Sequence, residues 1–169
     1  MKIKTMVINA IVAALYVAVT SLIAPIAYGA VQFRISEIFN HLAVFNRKYI
    51  IGIVAGVFIA NLFSPLGWYD IVFGTAHSLI SLGAMVLLTR KTTNVWIKMA
   101  INTLMFVTFS GIIAWELKLA FNAPFWLNYI SVAFGELVIM GLGAPIMKLL
   151  DDKIHFHKRI ETKRRSKDK

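Results

Sequence analysis

The chain has 169 residues, 59% of them hydrophobic and 15% charged, with mean hydropathy +0.72 and a formal net charge of +10. A soluble domain of this length cannot cover that much apolar surface, and the length leaves room for one domain and no second module. No cysteine is present, so disulfide and thiolate chemistry are excluded.

Residues 5–33, 49–69, 71–89, 99–115 and 137–147 carry no charge. A bilayer core takes roughly 20 apolar residues per helix, fewer where the helix is shielded. The pattern predicts an all-α integral membrane protein with helices over 5–24, 31–46, 49–64, 70–89, 97–119 and 126–148. The first is too long for the core of a signal peptide and more apolar sequence follows it, so it reads as a retained span. Its Ala10, Ala14 and Ala18 fall at i, i+4 and i+8, a smooth stripe that lets another helix come close, inside the bundle or from a partner. The second helix is short and places Arg34, Glu37, Asn40 and His41 on one face. The third carries a similar stripe, Gly52, Gly56 and Ala60, expected to be internal. The fourth aligns Asp70, Gly74, His77, Ser78 and Ser81, with Asp70 equally suited to capping the helix. The fifth aligns Asn102, Phe106, Phe109, Ile113 and Glu116; the sixth, Tyr129, Glu136 and Gly143. Glu136 stands about ten residues into its helix, roughly 15 Å deep at 1.5 Å per residue.

Basic residues fix the orientation. With six spans, 16 of the 18 fall on cytoplasmic segments, from Lys2 and Lys4 through Arg47, Arg90 and Lys98 to Lys169. Only Arg34 and Lys118 fall elsewhere. Both termini are then cytoplasmic, with a transmembrane domain over 1–150 and a basic tail over 151–169. The charge is thus a topology signal and not a nucleic-acid footprint. The tail is placed to touch anionic lipid headgroups or an acidic partner. His155 and His157 within it make a weak metal site.

Polar groups in a bilayer core face a cavity or another helix. Glu37, Asp70, Glu116 and Glu136 make the outer half mildly acidic against Arg34 and Lys118. Tyr28, Trp68, Tyr69, Trp115, Trp126 and Tyr129 fall near outer helix ends, as an interfacial belt or as walls that stack a flat ring. No P-loop, HExxH or GxSxG motif occurs, and no cysteine nucleophile exists. A polar outer cavity without an energy source suits a binding subunit that borrows a motor.

Two stretches carry a resemblance: residues 33–37, FRISE, and residues 60–75, ANLFSPLGWYDIVFGT. With the alanine stripe, they resemble the QueT family, the S components for queuosine precursors in energy-coupling factor (ECF) transporters. The likeness covers the first four helices; the last two match mainly in length and hydrophobicity. It implies an S-component bundle in the prokaryotic cytoplasmic membrane that binds a deazaguanine base or nucleoside from outside. It also implies a transmembrane scaffold subunit, met by Ala10, Ala14 and Ala18, and two cytoplasmic ATPases. No cofactor is implied. A guanine-like edge offers N–H and amino donors that a carboxylate accepts together. On that reading Glu37 and Glu136 take the base edge or an amine, and Asn61 and Asp70 add polar contacts. Trp68, Trp115 or Tyr129 stack, and Arg34 holds Glu37 in place. Three rivals stand beside it. One is a membrane-embedded enzyme using Glu37 with His41 or Asp70 with His77. Another is an S component for a metal or other small substrate, although the position after Met1 is Lys2 where the metal type has histidine. The last is a passive assembly factor, which has no need of a deep Glu136.

Overall fold

A backbone immersed in hydrocarbon must satisfy its own N–H and C=O groups, and this chain does so with helices. The computed structural model describes residues 3–23 and 33–160, and every regular element among them is helical. Helix α1 spans Ile3–Leu22. A 3-10 helix, Ile35–His41, leads into α2, Leu42–Phe45. A 3-10 turn at Arg47–Tyr49 opens α3, Ile50–Asn61. A π-helical turn, Asp70–Gly74, continues as α4, Thr75–Leu88. Then come α5, Val95–Phe109; α6, Gly111–Phe121; α7, Phe125–Ile154; and α8, Phe156–Ile160.

Four stretches are long and apolar enough to cross a membrane: Ile3–Leu22, Asp70–Leu88, Val95–Phe121 and Phe125–Ile154. The second and third predicted helices are shorter than a span. The second is mostly 3-10, and its first two residues, 31 and 32, lie outside the described residues, as does Tyr28. The 12 residues of α3 rise about 18 Å. The fifth predicted helix breaks at Ser110, whose hydroxyl donates back to the Phe106 carbonyl at 2.9 Å, a bond that bends helices. The sixth runs on to Ile154 and stops where His155 turns left-handed, φ 56°. α8 then folds back: Tyr49 Oη donates to the Phe156 carbonyl at 3.0 Å, the Phe156 ring meets Phe45 and Tyr49, and Ile160 is fully buried. The start of the basic segment is therefore helical; residues 161–169 lie outside the described residues.

The tightest helix pair is α1 against α3, and small residues explain it. A Cβ built on Gly56 would lie 2.7 Å from Tyr16 Cβ and 3.1 Å from Ala13 Cα; one on Gly52 would lie 2.6 Å from the Asn9 carbonyl. Gly52, Gly56 and Ala60 are all buried, so this stripe is internal packing. Asn9 Oδ1 accepts the Gly52 N–H at 3.0 Å, satisfying one of the donors that the start of α3 leaves without an intrahelical partner. A core of Tyr16, Ile53, Val57, Leu82, Met85, Phe106 and Met140 fills the space between the helices.

Gly56→Leu has no room for its side chain. It should destabilise the detergent-solubilised protein by about 1–3 kcal/mol through overpacking, read as a lowered thermal midpoint. Gly83→Ala, where an added Cβ meets nothing within 4 Å, should leave the midpoint unchanged or slightly raised. Equal midpoints for the two variants would refute the packing account.

Candidate functional site

The polar groups predicted to gather do gather. In the 3-10 helix, with three residues per turn, side chains at i and i+3 eclipse. Arg34, Glu37 and Asn40 fall at that spacing, all three are buried, and Asn40 Nδ2 donates to Glu37 Oε2. Across the helix boundary Tyr16 Oη donates to Glu37 Oε1 at 2.6 Å, and the Thr20 and Ser36 hydroxyls lie 2.7 Å apart. Glu37 is thus held by two donors from two different elements.

Asp70 begins the π-helical turn and is fully buried. Its carboxylate accepts from Ser64 Oγ and pairs with Arg34 Nη2 at 3.4 Å, while its carbonyl accepts from Asn61 Nδ2 at 2.7 Å. Asp70 is therefore an ion-pair partner and not a helix cap. Gly74 makes the arrangement possible: a Cβ there would come within 2.6 Å of Asn61 Nδ2 and 3.6 Å of Arg34 Nη1.

Two more carboxylates approach from α6 and α7. Glu116 is fully buried within hydrogen-bonding reach of the Asp70 carboxyl group, and no N–H or hydroxyl of another side chain donates to either of its oxygens. Glu136 is buried near Glu37, and its Oε2 lacks a partner. Arg34 interacts electrostatically with all four acids, Asp70, Glu37, Glu116 and Glu136. Of the predicted polar site residues, the structure thus unites Arg34, Glu37, Asn61, Asp70 and Glu136.

The predicted aromatic walls behave differently. Trp68 is 60% exposed and stacks on Tyr69 with centroids 4.0 Å apart; Trp115 is 48% exposed beneath the Lys118 ammonium. Tyr129 is half-buried and lies parallel to Phe125 at 6.2 Å, with Gly111 alongside. Trp68 and Trp115 have the exposure of interfacial anchors. The histidines are structural. His41 Nε2 donates to the Met140 carbonyl at 2.9 Å, and its Nδ1 faces Asn102 Nδ2 at 3.4 Å. His77 Nε2 donates to the Phe106 carbonyl at 3.1 Å. Neither ring bonds to the carboxylate that the enzyme reading gave it. Among the described residues no three His, Asp or Glu side chains are placed to hold a metal ion.

Three contributors were missed from the sequence: Tyr16, Ser64 and Thr20. Tyr16 and Thr20 had a signal, since Thr5, Asn9, Tyr16 and Thr20 repeat at spacings of 4, 7 and 4 and form a buried polar face on α1. Ser64 sits in a loop and had none. Ala10, Ala14 and Ala18 are exposed; together with Ile51, Ala55 and Ile59 of α3 they line an outward apolar groove of about 640 Å³.

The family model described as QueT transporter matches residues 6–152. The chain is 37% identical over 154 residues to the queuosine precursor transporter QueT of Lactococcus lactis subsp. cremoris (strain MG1363), covering 86% of this chain and 90% of that protein. No solved structure matches. That family transports and does not catalyse, and with a family match over residues 6–152 and a relative 37% identical across most of both chains, this chain belongs to the QueT transporter family.

Proposed function

We propose that this chain is the substrate-binding S subunit of an ECF-type importer that captures a queuosine precursor, a deazaguanine base or its nucleoside, on the outer side of the membrane. The observation that carries the reading is the acidic excess around Arg34. Four carboxyl groups face one guanidinium; Glu116 has only the Asp70 carboxyl group within hydrogen-bonding reach, and Glu136 Oε2 is buried with no donor. A buried acceptor left unmade costs about 1–3 kcal/mol, so such oxygens are retained where a ligand supplies donors. A guanine-type edge supplies two adjacent donors, and an amine on a side arm supplies charge. An anionic substrate would add to the repulsion. In this reading Glu136 and Glu116 contact the ligand, Glu37 and Asp70 shape its floor, and Asn61 and Arg34 hold that floor together. Tyr129 is the aromatic placed to stack.

The six-segment topology with cytoplasmic ends completes the proposal. The chain holds no nucleotide-binding motif, so release inside depends on the ATPase subunits acting through the scaffold. The exposed alanine stripe and its groove are the surface on which another helix can seat closely.

Replacing Glu136 or Glu116 with Gln keeps the shape and removes the charge. A hydrogen bond to a charged group is worth about 1.5–3 kcal/mol, so affinity for a deazaguanine base should fall roughly tenfold to over a hundredfold in calorimetry. Unchanged affinity in both variants would remove this cluster from the binding site.

Ala14→Trp should leave binding by the isolated protein intact and abolish uptake in cells, because the indole blocks close helix approach. Loss of binding together with uptake would assign the stripe to internal packing instead.

Single cysteines at Arg47 and Lys167, in a chain with none of its own, should resist an impermeant thiol reagent applied to intact cells. Labelling of Arg47→Cys from outside would reverse the proposed topology.

A further inference from the structure

We infer that a second groove, between α1 and α7, is a binding site for an anionic phospholipid. Its volume is about 640 Å³. Val7, Ile11 and Leu15 form one wall, Leu150 and Ile154 the other, and the walls carry large apolar side chains exposed by a third to a half. Two of its lining residues are cations, Lys4 from the first turn of α1 and Arg159 from α8.

Three features point to a lipid. The first is length. Lys4 to Leu15 is 11 residues, about 16 Å at 1.5 Å per residue. Half of a roughly 30 Å hydrocarbon core is about 15 Å, so the groove traverses one leaflet. The second is position. Lys4 stands at the end of α1 where a headgroup would lie, and α8 brings Arg159 to the same groove. The third is charge. Among the described residues the acids at this end are already engaged: Asp152 pairs with Lys148, and Asp151 accepts the Phe156 N–H at 2.9 Å and faces His157 Nδ1 at 4.0 Å. Tyr49, which also lines the groove, donates a hydrogen bond from its hydroxyl to the Phe156 carbonyl and brings no charge of its own. Lys4 and Arg159 make no ion pair among the described residues. Arg159 Nε donates to the Ile154 carbonyl at 3.2 Å, which fixes the guanidinium beside the groove wall. Basic pockets between membrane helices bind anionic headgroups in this way. The acyl chain lies along α1 and the phosphate lies on Lys4 and Arg159.

The test is native mass spectrometry of the full chain, delipidated in detergent and offered phosphatidylglycerol or phosphatidylcholine with the same acyl chains. Phosphatidylglycerol should be retained preferentially. Each cation near an anionic membrane contributes about fivefold, so Lys4→Gln or Arg159→Gln should cut the preference about fivefold, and the double variant should abolish it. Soluble glycerol phosphate should compete poorly, because it brings no acyl chain. Leu15→Trp, which fills the groove, should lower retention while leaving both cations in place. Equal retention of the two lipids would overturn the proposal, as would full competition by glycerol phosphate or an unchanged preference in the double variant. A double variant that keeps its lipid but loses association with a partner subunit would assign the groove to a protein and overturn the lipid reading. Deazaguanine affinity stays at the value of the unaltered chain in all variants, separating this site from the acidic cluster.

Discussion

A guanidinium cannot shed its proton inside a protein, so burying Arg34 forces the surrounding fold to provide permanent negative charge. Asp70 is the group placed to meet that demand, and much of the local structure serves to place it. Asn61 holds its backbone, Ser64 and Arg34 hold its carboxylate, and Gly74 clears the space between them. Removing Arg34 would leave four acids facing one another without a counterion. Removing Asp70 would leave a buried cation without the carboxylate that it pairs with. The pair is the fixed point around which Glu37, Glu116 and Glu136 are arranged.

Small residues decide how closely those acids approach. A Cβ on Gly143 of α7 would stand 2.6 Å from Ile38 Cγ2 in the 3-10 helix. Without it α7 could not lie against that helix, and Glu136 would be drawn away from Glu37. The same logic holds at Gly56, where α3 rests on Tyr16, and Tyr16 in turn donates to Glu37. Helix packing and site geometry are therefore one problem here. Bilayer hydrocarbon gives no hydrophobic reason for helices to approach, so close contact and interhelical hydrogen bonds do the work.

The fold class was legible because the bilayer admits few backbone solutions, and charge-free runs mark them. The polar cluster was legible for a related reason: a carboxylate such as Glu136 is too costly to bury without company. What the pattern did not reveal was local. The 3-10 winding at Ile35–His41 shares the i+3 spacing with an α-helix, so Glu37 and Asn40 looked alike in either. The break at Ser110 depends on a hydroxyl choosing a backbone carbonyl, a choice that hydropathy does not record. Trp68 and Trp115 show why aromatics at helix ends are ambiguous: an interfacial anchor and a pocket wall use the same residue at the same height. The Arg34–Asp70 pair was not legible because Asp70 is 36 residues away in sequence and meets Arg34 only through the fold, whereas Glu37, which Arg34 also faces, is three residues away.

The π-helical turn at Asp70–Gly74 holds one residue more than an α-helical turn would. Deleting a single residue within it would restore ordinary winding to α4 and swing everything upstream by about 100° around the helix axis. The carboxylate facing Arg34 would be carried toward lipid, and the Asn61 amide would lose the carbonyl that it now holds. The extra residue is thus an angular setting: it lets the buried face of α4, with His77, Ser78 and Ser81, keep its packing while Asp70 is aimed on its own account. Relatives that differ in length by one residue at this turn would share the bundle and present a different chemical face to whatever enters it.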